Sequence, residues 1–229
     1  MNNSRSFWVT GASNGLGLAL VERLLEQGHR VAASGKECEE LDALAKRYSR
    51  QLLLLPWQLH EEEQAQEAAR QICHAWGSLD CVILNAATSD YVASSVTDSE
   101  LFEAIVTSNQ LAGENCLGSA LPLLVKGDSA QVMAIFNRYS ALQLYSPTQV
   151  TAGWNNMPQW LREERDELMK LGVSLTVVAP QSPSMAVQAI PEPWTAQSAA
   201  TELLRSLPLR EAELVLEVVD VSSLWPLSR

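Results

Sequence analysis

Thr10-Gly11-Ala12-Ser13-Asn14-Gly15-Leu16-Gly17 is the stretch from which the fold of this chain is read. It follows a short apolar run, Phe7-Trp8-Val9, and opens into Leu18-Ala19-Leu20-Val21-Glu22-Arg23-Leu24-Leu25, whose leucines recur at helical spacing. Strand, glycine turn and helix in this order form a setting for binding a phosphorylated ligand. Glycines let the main chain turn tightly and approach a pyrophosphate, whose charge rests on the N–H groups at the positive end of a helix. The spacing is Gly-x3-Gly-x-Gly.

Outward from this turn, short apolar strands alternate with longer helical patterns. Such alternation argues for a parallel sheet covered by helices on both faces. His29–Ser34, Gln51–Leu55, Leu79–Asn85, Ala130–Phe136, Val173–Ala179 and a segment near Leu214–Val219 read as the later strands. Helices are expected over Glu37–Arg50, Glu61–Trp76, from Thr97-Asp98-Ser99-Glu100 towards Leu121, between Pro147 and Leu171, and over Thr195–Ser206. Right-handed crossovers then give an α/β fold, a doubly wound parallel sheet of about seven strands in the order 3-2-1-4-5-6-7. The places of the last two strands rest on the resemblance described below. Over 229 residues no linker, repeat or low-complexity tract is seen, so residues 1–229 are expected to form one domain.

Sixteen basic against twenty-seven acidic residues give a net charge of −11. With no basic stripe, that balance argues against nucleic acid or an anionic membrane as partner. Cys38, Cys73, Cys81 and Cys116 show no CxxC spacing, and His29, His60 and His74 complete no zinc pattern with them. Reduced thiols, no metal and a cytoplasmic location are the expectation, as no signal peptide or membrane-length apolar run is read.

The glycine turn resembles the cofactor loop of the short-chain dehydrogenase/reductase family, and the likeness extends from about Ser6 to Pro180. Leu84-Asn85-Ala86-Ala87 looks like the family's Asn-Asn-Ala-Gly segment beside the adenosine half of the cofactor. Asn109 stands thirteen residues before Pro122, as does the helix-borne asparagine that holds a water in the family's proton relay. The resemblance implies that Gly11, Ser13, Asn14, Gly15, Leu16, Gly17, Lys36, Asn85, Ala86 and Ala87 contact the dinucleotide. Lys36 lies where NADP-selective members place an arginine against the 2′-phosphate. Ala33, Ser34 and Gly35 supply no acidic side chain of the kind NAD-preferring members carry there. A cation favours the phosphate, so NADP(H) is preferred over NAD(H). Against the pattern, Gln58 stands where the family has an aspartate touching adenine.

The resemblance fails where the family does its chemistry. There a tyrosine phenol, lowered in pKa by a lysine four residues on, protonates the developing alkoxide, and a serine on strand five holds the oxygen. Asn137 ends strand five at the serine position. Thirteen residues later Val150-Thr151-Ala152-Gly153-Trp154 overlays the Tyr-x-x-x-Lys stretch. Valine has no transferable proton, and tryptophan offers one neutral N–H donor. Tyr139 and Tyr145 are the nearby phenols, each followed four residues later by glutamine. Pro158 falls inside the family's long helix and is expected to kink or restart it. Gln181 and Met185 replace the Gly and Thr of the loop that approaches the nicotinamide.

The expectation is a dinucleotide-binding member without the usual acid–base pair, of which Asn109 and Asn137 are the remaining candidate catalytic residues. Such a protein would be catalytically weak or inactive and would sense cofactor or regulate a partner. The competing expectation is a working NADP-dependent oxidoreductase for a carbonyl or alcohol, with a rearranged site. A third is a scaffold that binds no dinucleotide. Trp154, Trp160 and Trp194 would line an apolar cleft or a subunit face. The resemblance implies pairing through the helices after strands four and five, in a homodimer or homotetramer.

Overall fold

The computed structural model describes residues 4–85, 91, 101–136, 157–180 and 195–216. Strands β1 (Ser6–Thr10), β2 (Arg30–Ser34), β3 (Leu52–Leu55), β4 (Cys81–Asn85), β5 (Gln131–Ile135), β6 (Ser174–Pro180) and β7 (Glu213–Leu216) form one parallel sheet. Its order is 3-2-1-4-5-6-7, as the sequence reading expects, including the last two places. The described helices are α1 (Gly15–Glu26), α2 (Glu39–Arg47), α3 (Glu62–Trp76), α4 (Leu101–Leu124), α5 (Met157–Lys170) and α6 (Ala196–Ser206).

Successive strand side chains point to opposite faces, and here both faces are covered. Phe7, Val9, Val31, Ala33, Cys81, Ile83, Met133 and Ile135 pack with the apolar sides of α1, α2 and α6. Trp8, Ala32, Val82, Leu84, Val132, Ala134 and Phe136 join residues of α3, α4 and α5 on the other face. β1, β4 and β5 are buried along their whole length, the two-sided burial that parallel strands require.

Helix ends follow local chemistry. α3 stops at Gly77, which takes the left-handed φ of 77°. α6 starts at a reciprocal cap: Thr195 Oγ1 accepts from the Ser198 N–H at 3.1 Å, and Ser198 Oγ accepts from the Thr195 N–H at 2.8 Å. α2 is shorter than the sequence pattern predicts, because Cys38 is still extended at φ −150° and Tyr48 has already left helical geometry. Pro158 is the second described residue of α5 and is buried.

The amino-terminal edge of the sheet is tied by Asp80. Its side chain is 7% exposed, and Oδ2 accepts from the Ser6 N–H at 2.7 Å and from Ser6 Oγ at 3.0 Å. Oδ1 accepts from the Asp128 N–H at 2.7 Å. One carboxylate thus joins the starts of β1 and β4 to the turn before β5. Removing it strands two main-chain donors, at about 1–3 kcal/mol for each buried one. Asp80→Ala is therefore expected to lower the unfolding free energy by about 2–4 kcal/mol, and Asp80→Asn by less, as measured by urea denaturation.

Candidate functional site

The carboxyl edge of the sheet carries the site. In the order 3-2-1-4-5 the winding direction reverses between β1 and β4, and ligands of doubly wound sheets bind in the crevice outside the strands at that point. Gly11 follows β1 there with φ 61°, and Gly15 opens α1 with φ 51°. Both are left-handed conformations that only glycine adopts without cost. Asn14 between them is extended, and its side chain does not cap α1.

Gly17 is fixed by close approach. A Cβ built there would lie 1.9 Å from the carbonyl oxygen of Gly11 and 3.0 Å from Asn85 Nδ2. That same oxygen accepts from Asn85 Nδ2 at 3.0 Å. The Asn85 N–H in turn donates to Thr10 Oγ1 at 3.1 Å. Asn85, only 2% exposed at the end of β4, thereby locks the turn after β1 to its neighbour strand. On the other side the Ala12 N–H donates to Ser34 O at 3.0 Å. The Cys38 thiol donates to Ser13 O at 3.2 Å, and burial raises its pKa above the usual thiol value. The first turn of α1 contains no acidic residue, whereas α2 begins with Glu39, Glu40 and Asp42, and α3 with Glu62 and Glu63. The first turn of α1 therefore brings no carboxylate to its own positive end, whereas those of α2 and α3 do.

Lys36 is exposed at the β2–α2 corner, and Gly35 beside it is buried. A recess of about 70 Å³ lies here, lined by Gly35, Lys36, Cys38, Leu54 and Pro56 among others. Gln58 is half-buried, and its N–H donates to Gln64 Oε1 at 2.7 Å. Asn109 is 5% exposed within α4, and its Nδ2 donates to Ile105 O at 2.7 Å, one turn back along the helix. Asn115, six residues further along α4, donates to Leu59 O and His60 O, both at 3.1 Å, and so fastens the β3–α3 corner to α4.

The structure brings Gly11, Ser13, Asn14, Gly15, Leu16, Gly17, Lys36 and Asn85 to one edge of the sheet. Ala86, Ala87, Asn137, Tyr139, Tyr145, Val150, Trp154, Gln181, Met185 and Trp194 lie outside the described residues. The sequence reading does not single out Tyr91, whose hydroxyl accepts from the Gly11 N–H at 3.1 Å. No periodicity marks it, since its contact is made across 80 residues of chain. Among the described residues no cluster of His, Cys, Asp or Glu could hold a metal ion, and no helix is long and apolar enough to cross a membrane.

A model of the short chain dehydrogenase family matches residues 6–189, and the chain belongs to that family. It is 32% identical over 142 residues to a 3-phenylpropionate-dihydrodiol/cinnamic acid-dihydrodiol dehydrogenase of Escherichia coli O157:H7, covering 59% of this chain and 52% of that enzyme. The match thus spans about half the length of that relative. Among solved structures, a metagenomic short-chain oxidoreductase in complex with NADP superposes with a TM-score of 0.70 at 18% identity, over 94% of this chain and 98% of that one. The Pseudomonas aeruginosa RhlG/NADP active-site complex gives 0.59 at 26% identity, over 77% of this chain and 72% of that one.

The tight Gly17–Gly11 contact generates a direct test. Gly17→Ala must push the α1 start away from β1, at about 1–3 kcal/mol for an overpacked contact. A lower melting temperature and loss of the dinucleotide affinity measurable for the unaltered protein are the expected outcome, read by calorimetry and by cofactor fluorescence.

Proposed function

We propose that this chain is one dinucleotide-binding domain that takes up NAD(P)(H) on the glycine turn and has lost the family's usual proton-transfer pair. The observation that supports the reading best is the turn itself. Gly17 lets α1 start against the Gly11 carbonyl, where a Cβ would overlap it and which Asn85 also grips, and the first turn of α1 carries no carboxylate of its own. These residues fit a pyrophosphate. Gly11, Ser13, Asn14, Gly15, Leu16 and Gly17 would hold it, with Asn85, Ala86 and Ala87 beside the adenosine. Lys36, with no carboxylate at Gly35, would meet a 2′-phosphate, which is why NADP(H) is preferred over NAD(H). The NADP complex of the Pseudomonas relative agrees with this preference. The bound cofactor would supply or accept a hydride.

What the chain's own residues can do with a proton is the weaker half. Val150 and Trp154 stand in sequence where the family carries its acid and its cation. Asn109 and Asn137 retain amides that can orient a polar oxygen but do not exchange a proton near neutral pH. General acid–base catalysis contributes about 10²–10⁴ in rate. A protein without it would bind cofactor and turn over slowly or not at all, a behaviour suited to sensing the cofactor or regulating a partner in the cytoplasm. The dihydrodiol dehydrogenase of Escherichia coli favours a second reading, a working NADP-dependent oxidoreductase with a substitute donor such as Tyr139 or Tyr145.

Titration with NADPH and NADH, followed by cofactor fluorescence, is expected to show saturable binding that favours NADPH. Lys36→Glu should weaken NADPH by about tenfold, or ~1.4 kcal/mol, and leave NADH within about twofold. Across a panel of ketones, alcohols and dihydrodiols the unaltered protein should consume no cofactor. Turnover that Tyr145→Phe or Tyr139→Phe abolishes would establish the second reading in its place.

A further inference from the structure

Tyr91 sits at the reversal point of the sheet. Its side chain is 3% exposed and belongs to the same apolar cluster as Trp8, Leu55 and Leu59. Its hydroxyl accepts from the Gly11 N–H at 3.1 Å and reaches Ser34 O at 3.5 Å. Gly11 follows β1 and Ser34 ends β2, so both groups stand at the carboxyl ends of adjacent strands, the side of a doubly wound sheet on which ligands lie, and Ser34 O also accepts the Ala12 N–H. One oxygen here answers a main-chain N–H and a main-chain carbonyl together. A sugar hydroxyl has the same donor and acceptor capacity as a phenol.

We propose that the Tyr91 phenol stands in for a ribose hydroxyl of the adenosine, so that a dinucleotide must displace it in order to bind. The inference rests on the dinucleotide reading above. It makes the ligand-free protein self-occupied at the adenosine end. Apparent affinity is then reduced by the fraction of molecules whose phenol is out of the way. A core role alone gives a different expectation, because loss of the hydroxyl would then weaken the framework under the ligand and never strengthen binding.

Tyr91→Phe keeps the ring and removes the competing oxygen. A single hydrogen bond of this kind shifts such an equilibrium by about three- to tenfold. NADPH is therefore expected to bind Tyr91→Phe about three- to tenfold more tightly than the unaltered protein. In the ligand-free state, amide exchange at Gly11 should be faster in the variant, and NADPH should restore its protection in both proteins. Equal or weaker NADPH binding by a folded Tyr91→Phe overturns the proposal alone and leaves the dinucleotide reading standing. Unchanged Gly11 exchange in the ligand-free variant also overturns it. Binding of NADPH to neither protein overturns both.

Discussion

The contact between Gly17 and the Gly11 carbonyl sets the geometry on which the carboxyl edge depends. It brings α1 against the end of β1 more closely than any side chain would allow. Because Asn85 grips the same carbonyl oxygen from β4, three elements meet at one atom. The turn is thereby positioned relative to both strands that flank the reversal of winding. An anion site made of main-chain N–H groups needs this rigidity, since donors that rearrange on binding give back part of the interaction they make. The opposite edge is held in a comparable way by the Asp80 carboxylate, so each end of β1 is fixed by a buried side chain, one at the end of β4 and one just before its start.

Much of the fold was legible in the sequence because its signals are local. Strands buried on both faces are nearly continuous apolar runs, and Phe7-Trp8-Val9 or Val82-Ile83-Leu84 cannot be solvated pieces of chain. Gly77 after α3 and the Thr195–Ser198 cap of α6 are further signals written within a few residues. Strand ends shifted by a residue or two, and α2 came out shorter than its pattern, because Cys38 turns its thiol towards Ser13 and keeps the chain extended there. That interaction joins two corners of the sheet, and local spacing carries no trace of it.

The site divides along the same line. The glycine turn and Asn85 could be read from the sequence, since a motif spans the former and the family resemblance marks the latter. Tyr91 could not, because a lone phenol in a polar stretch has no period and no motif, and its partners lie at the ends of β1 and β2. Asn109 was legible as a position, while its amide bond to the carbonyl one helical turn back is a matter of local geometry. In the proposed reading the anion-binding part of the edge is built from main chain and therefore tolerates changes of side chain nearby. The proton-transferring part that the family resemblance implies rests instead on two particular side chains, and in the proposed reading Val150 and Trp154 stand in their place.

Glycine amide resonances offer the most direct test of this account, because they fall in a distinct region of a proton–nitrogen correlation spectrum. As NADPH is added, the amides of Gly11, Gly15 and Gly17 should shift together and saturate, while those of Gly28, Gly77 and Gly172, at distant turns, stay in place. Saturable shifts confined to other residues, or no shifts at millimolar NADPH, would contradict the assignment of the glycine turn as the pyrophosphate cradle.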